Sequence, residues 1–146
     1  MKQTFIFLAI LFTTFYSLSQ KVDTANVLYN GLYIAKTGSV PAANLEIFTY
    51  LRFYEDRSVY LQSISSNDPQ AVSKWFGRDK KFSQKGTFRI DGINIVVQLN
   101  NKDSKDSKLE GFKETKYNGT ITQSNQMCLI RDEEKTENCF SFSKTP

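Results

Sequence analysis

The 146 residues include no histidine. That removes the commonest general base, the commonest transition-metal ligand and the usual partner of a serine or cysteine nucleophile. Catalysis would need a carboxylate pair, or a lysine or tyrosine base. The carboxylates cluster as Glu55-Asp56, as Asp103 with Asp106, and as Asp132-Glu133-Glu134, each in a polar stretch between apolar runs. Lys102, Lys105 and Lys108 interleave the Asp103/Asp106 pair, and no group has the spacing of a calcium loop. Solvated turns account for all three. The chain is therefore read as a non-enzyme with no catalytic residue, metal ligand or cofactor. A histidine-independent hydrolase is the alternative that two close, buried carboxylates would revive.

Three other groups carry chemistry. Cys128 and Cys139 are the two cysteines. The second group is aromatic: Tyr29, Tyr33, Phe48, Tyr50, Tyr54, Tyr60, Trp75 and Phe76 lie near one another in sequence, and several carry a polar tip. The third is the stretch 74 to 89. Lys74, Arg78, Lys80, Lys81, Lys85 and Arg89 face the single acid Asp79, with Trp75, Phe76, Phe82 and Phe88 interleaved. Cations between aromatics suit a nucleic-acid platform, but the start of the chain argues for a different compartment.

That start has one positive charge at Lys2, an apolar run from Phe5 to Phe12, and small residues at Ser17 and Ser19. This is the three-part pattern of a secretory signal peptide. The run is shorter than the roughly 20 residues that span a bilayer. Residues 1 to 20 are read as a cleavable signal peptide, and 21 to 146 as one domain, secreted or periplasmic. Export favours a Cys128–Cys139 disulfide over free thiols and excludes nucleic acid as a partner. Anionic lipid or glycan surfaces fit the basic stretch better, and a solvated basic face is the plainest account of it. The formal charge of +4 identifies no partner, and a monomer is expected.

These groups must be positioned by strands. Residues 29 to 37 read as a first strand. From 45 to 54 the pattern alternates, with Leu45, Ile47, Leu51 and Phe53 on one face and Phe48, Tyr50, Arg52 and Tyr54 on the other. A third strand at 58 to 65 sets Val59 and Leu61 against Tyr60 and Ile64. One short helix is expected near residues 69 to 76. Asp68 serves as N-cap, Pro69 stands at the first position, Gly77 stops it, and Val72, Trp75 and Phe76 form its apolar stripe.

Asp91-Gly92 predicts a two-residue type I′ turn joining strands over 82 to 100. Pairing Ile90 with Ile93 puts Phe82, Phe88, Ile90, Ile93, Ile95, Val97 and Leu99 on one side. Residues 100 to 108 read as a polar loop, and 112 to 122 as a strand bent at Gly119. Strands at 126 to 131 and 137 to 143 oppose Cys128 to Cys139, with Met127, Leu129, Phe140 and Phe142 on the core face. The fold class is all-β: eight antiparallel strands in sequential hairpins, closed as a barrel or folded as a two-sheet sandwich.

Several segments resemble those of secreted bacterial lipocalin-like (calycin-type) domains. They are Asn30-Gly31-Leu32-Tyr33, Tyr50 to Asp56, Gly86 to Gly92, Tyr117 to Ile121, and Phe140-Ser141-Phe142. Tyr33 stands where such families usually carry tryptophan, and Arg57 where a turn glycine is common. The resemblance implies a lipocalin-like barrel across residues 28 to 143.

An eight-stranded barrel is filled by side chains or holds one small ligand. The leading expectation is the second: a non-enzymatic binding domain for a small apolar or amphipathic ligand. Tyr33, Tyr50, Tyr54, Tyr60 and Trp75 then line or close the pocket, and Lys80, Lys81 and Arg89 lend positive charge. On the first, the barrel is solid and its surface meets another envelope protein.

Overall fold

The computed structural model describes residues 26–76, 84–100 and 114–145. They form a closed barrel of eight antiparallel strands in chain order. The strands are β1 (Gly31–Val40), β2 (Leu45–Phe53), β3 (Ser58–Ile64), β4 (Gln84–Asp91), β5 (Asn94–Asn100), β6 (Thr115–Gln123), β7 (Gln126–Arg131) and β8 (Glu137–Lys144). A short helix, α1 (Pro69–Ser73), follows β3. β1 pairs with β8 and closes the ring, so the sandwich alternative does not apply. The expected signal peptide, Phe82 and the polar loop after β5 lie outside the described residues.

Period-two alternation builds the core. Leu51 and Phe53 on β2, Val59 and Leu61 on β3, Ile95, Val97 and Leu99 on β5, and Met127 and Leu129 on β7 share one buried cluster inside the barrel. Small residues let the strands coil tightly around it. A Cβ on Gly86 would lie 1.9 Å from the Gln98 carbonyl oxygen, and one on Gly119 would lie 2.0 Å from that of Cys128. Only glycine permits these backbone approaches. At Gly119, where a bend was expected, the pairing runs on in register and the irregularity of β6 falls between Ile121 and Gln123.

One end of the barrel carries the β2–β3, β4–β5 and β6–β7 turns. There Tyr33 packs edge-on against Phe53 with centroids 5.5 Å apart, and Phe53 against Phe88 at 4.9 Å. Val27 belongs to this core, and Leu28 and Tyr29 pack against it, so the segment before β1 plugs the end. Arg57, held in the left-handed region at φ 66°, extends its guanidinium over the Phe88 ring at 5.6 Å. The opposite end is more polar. Thr37, Thr49 and Ser63 on three adjacent strands form a hydroxyl ladder with both links at 2.8 Å.

The β4–β5 hairpin differs from the expected register by two residues. Asp91 pairs with Asn94, Ile90 with Ile95 and Phe88 with Val97, so the loop residues are Gly92-Ile93 rather than Asp91-Gly92. Of the two loop residues only Gly92 has positive φ, the pattern of a II′ loop, whereas I′ would require Ile93 in that region too. A shift of two preserves every face. Its one visible cost is Ile93, expected in the core and found exposed at the tip. The β7–β8 pairing matches expectation: Met127 opposes Phe140, Cys128 opposes Cys139 and Leu129 opposes Asn138. The cysteines form a disulfide between directly opposed residues with Cα atoms 4.0 Å apart.

Candidate functional site

The residues singled out from the sequence separate onto three surfaces. Tyr33 is inside the barrel and 0% exposed. Its hydroxyl donates to the Ser124 carbonyl at 2.6 Å and accepts from the Leu28 N–H at 2.9 Å. It therefore ties the plug to the β6–β7 turn. Burial pushes its phenol up from the ordinary value, and the Leu28 N–H pulls partly the other way. Tyr33 is a structural pin here, with both polar contacts made to backbone.

Tyr50, Tyr54 and Tyr60 do not face the interior. They lie on the outer face of β2 and β3, where Tyr50 and Tyr60 join Leu32, Val72 and Phe76 in a second apolar cluster beneath α1. The strand alternation explains the placement: Leu51 and Phe53 turn inward, so Tyr50, Arg52 and Tyr54 must turn outward. Asp68 caps α1 by accepting from the N–H groups of Gln70 and Ala71. The Tyr50 hydroxyl donates to the Ser66 carbonyl at 2.6 Å and anchors the chain entering the helix. Burial, reinforced by the Asp68 carboxylate, raises the Tyr50 phenol. At the margin of this face Tyr54 and Tyr60 meet edge-on at 5.4 Å, Arg52 lies over Tyr54 at 5.7 Å, and Lys85 lies over Tyr60 at 5.6 Å.

Trp75 is 59% exposed. The expected stripe of Val72, Trp75 and Phe76 assumed a helix to residue 76, but the helix ends at Ser73. Phe76 still returns to the apolar cluster, while Trp75 turns away from it. Lys80 and Lys81 lie outside the described residues. Arg89 points outward from β4, separate from the tyrosine face on β2 and β3.

The interior leaves no visible room for a ligand among the described residues. Tyr33, Phe53, Val59, Ile95, Val97, Leu99 and Met127 are all 0% exposed. A void wide enough for water against any of them would give it measurable exposure. Among the described residues, two open clefts are on the surface. A cleft of about 300 Å³ crosses the outside of β4, β5 and β6, lined by Thr87, Phe88, Arg89, Val96, Gln98 and Lys116. A second, of about 330 Å³, lies at the polar end between β6 and β7, lined by Glu114, Thr115, Lys116, Arg131, Asp132 and Glu133. The two share Lys116.

Of the first cleft only Arg89 was read from the sequence as a site residue. Thr87 and Gln98 were legible as outward positions of the hairpin. Lys116 was not, because its place depends on the β5–β6 register, which sets it opposite Gln98. Cys128, Cys139 and Glu137 bring their donor atoms within 4.8 Å of one another, but both sulfurs are committed to the disulfide. Comparison of the chain with known family models, curated proteins and solved structures finds no match.

Proposed function

We propose that the protein is an exported, non-catalytic lipocalin-like barrel with a solid interior that meets an envelope protein through its outer surface. The packed interior carries this reading, because seven core side chains around the barrel are fully excluded from solvent. Small-ligand binding in the interior, the competing reading, loses support from the same packing. The partner-facing surface is the aromatic–basic margin outside β2 and β3, with Trp75 exposed beside the α1 cluster and Arg52 and Lys85 over tyrosine rings. Exposed tryptophan together with tyrosine and arginine is the composition enriched at protein interfaces.

A photoreactive residue at position 75 in the full chain, expressed in its native host, tests the reading. It is expected to yield a discrete cross-linked protein adduct, whereas the same residue at Ser39 yields none. Intact-mass analysis of the same material is expected to show a mature chain beginning near Lys21, two hydrogens lighter than the reduced form, without a bound small molecule. A stoichiometric lipid or other apolar ligand lost on unfolding, with no adduct at position 75, would replace this reading with the interior-ligand one.

A further inference from the structure

We propose that the cleft on the outside of β4, β5 and β6 binds an acidic saccharide, taking a carboxylate or sulfate on Arg89 and sugar hydroxyls on Thr87 and Gln98. The proposal rests on the reading that the surface of this barrel does the work, but it concerns a different face from the one bearing Trp75. The register brings the groups together. Arg89 pairs with Val96, Thr87 pairs with Gln98, and Gln98 pairs in turn with Lys116. All five side chains therefore project from one outward face across three neighbouring strands.

Each supplies a different part of the recognition. Arg89 is exposed and has no carboxylate partner among the described residues, while Lys36, Lys116 and Arg131 each have one. Its planar fork matches a carboxylate or sulfate with two parallel hydrogen bonds. Thr87 adds a hydroxyl that donates and accepts. Gln98 adds an amide, one of whose N–H groups is turned to Glu114 at 3.0 Å. Val96 is a half-buried apolar floor between the polar groups, suited to the C–H face of a sugar ring. The cleft, at about 300 Å³, is at the small end of ligand sites, the size for a single sugar unit rather than a lipid chain.

The charges are graded across the cleft. Glu114 and Asp132 both sit on the β6–β7 side, with Asp132 3.8 Å from the Lys116 ammonium. On the β4 side the outward charges are Lys85 and Arg89 against the one carboxylate of Asp91 at the turn end, which leaves that side net positive. An anion is therefore directed to Arg89, with the neutral hydroxyls of the ligand toward Gln98. A membrane surface fits less well, because it would need an exposed apolar anchor around the cations, and the apolar lining of the cleft is a half-buried Val96 and a buried Phe88.

The test is retention of the intact mature protein on immobilised polygalacturonate, dextran sulfate and neutral dextran, with sedimentation against anionic phospholipid vesicles in parallel. Expected are salt-sensitive binding to the two acidic polymers, none to dextran, and weaker capture by vesicles. Arg89→Gln is expected to weaken polymer binding by about tenfold or more, Thr87→Val by less, and Lys36→Gln, a cation on the far side of the barrel, not at all. Near-ultraviolet circular dichroism establishes that each variant is folded. The proposal is overturned if Arg89→Gln binds like the unaltered protein, if Lys36→Gln weakens binding equally, or if dextran or vesicles bind as well as the acidic polymers. None of these outcomes touches the cross-link at position 75, so the failure of either reading is seen separately.

Discussion

At the scale of single residues, Tyr33 does the most with its polar atom. Its ring belongs to the aromatic floor of the barrel, and its hydroxyl joins two backbone groups that are far apart in sequence. Tyr33→Phe keeps the ring and orphans the Leu28 N–H and the Ser124 carbonyl. Leaving such groups unpaired costs about 1–3 kcal/mol, and urea unfolding followed by circular dichroism should read a loss in that range. The same phenol gives the alkaline behaviour. Its folded pKa is raised by burial, so the folded state holds the proton more tightly than the unfolded one. Its contribution is complete below the unfolded value of about 10 and is lost as pH rises through the folded value. Stability should therefore fall on the alkaline side above about pH 10. Tyr33→Phe should flatten that fall, with tyrosinate absorbance as the readout. An alkaline transition unchanged in Tyr33→Phe would place its origin elsewhere, with Tyr50 the next residue to replace, since its phenol is raised in the same direction.

At the scale of elements, α1 is too short to stand alone. Five residues make barely more than one turn, and isolated helices of that length are unstable in water. It persists because Asp68 caps it and Val72 packs into the cluster with Leu32, Tyr50 and Tyr60. Asp68→Ala removes both capping bonds and is expected to cost about 1 kcal/mol. The loss should appear first as faster amide exchange over 69 to 76, because the helix covers one face of the barrel without belonging to its ladder. Gly119→Ala acts on the ladder itself. Its Cβ would sit 2.0 Å from backbone oxygen, so β6 or β7 must move. A loss of about 2–3 kcal/mol, at the upper end for a single methyl, should follow in thermal unfolding.

Legibility in the sequence divided along the same line. The faces of β2, β3, β7 and β8 could be read because each apolar residue alternates with a polar or amphipathic one, and the paired cysteines pinned one register. The β4–β5 register could not be read to the residue. Ile90, Ile93 and Ile95 are chemically alike, so a slip of two costs nothing in pattern. The helix end was misplaced for a related reason: Phe76 is buried whether or not the chain is still helical, and only Trp75 reveals that it is not. The outward cleft was half visible, since Thr87 and Arg89 alternate with core residues, but its third strand is reached only through pairings that no single segment encodes.

At the scale of the whole molecule, ring closure decides what the barrel can do. Joining β1 to β8 closes the ring through Gly31–Ile34 and Ser141–Lys144, so only the short edges beyond that pairing could take an added strand, and over most of the surface a partner must use side chains. Among the described residues, the interior side chains that are fully excluded from solvent leave no visible room there either. This solidity can be tested by making a hole. Leu51 sits in the interior at 1% exposure. Leu51→Ala would remove its side chain from between β1 and β3, whose residues Tyr33 and Leu61 flank it in register. The expected cost is about 2–5 kcal/mol, larger if the surroundings fail to collapse. An apolar cavity of this kind stays dry and takes up small aromatic or noble-gas probes. Xenon-induced shifts in methyl spectra should therefore be absent in the unaltered protein and present at Leu61, the methyl-bearing neighbour of position 51 in register, in Leu51→Ala. If xenon already enters the unaltered barrel, the interior has space that its packed side chains conceal, and the case for a surface-acting protein loses its main support. If it enters only the variant, the barrel is a rigid carrier, and the search for its partners belongs on the outside, at Trp75 and at Arg89.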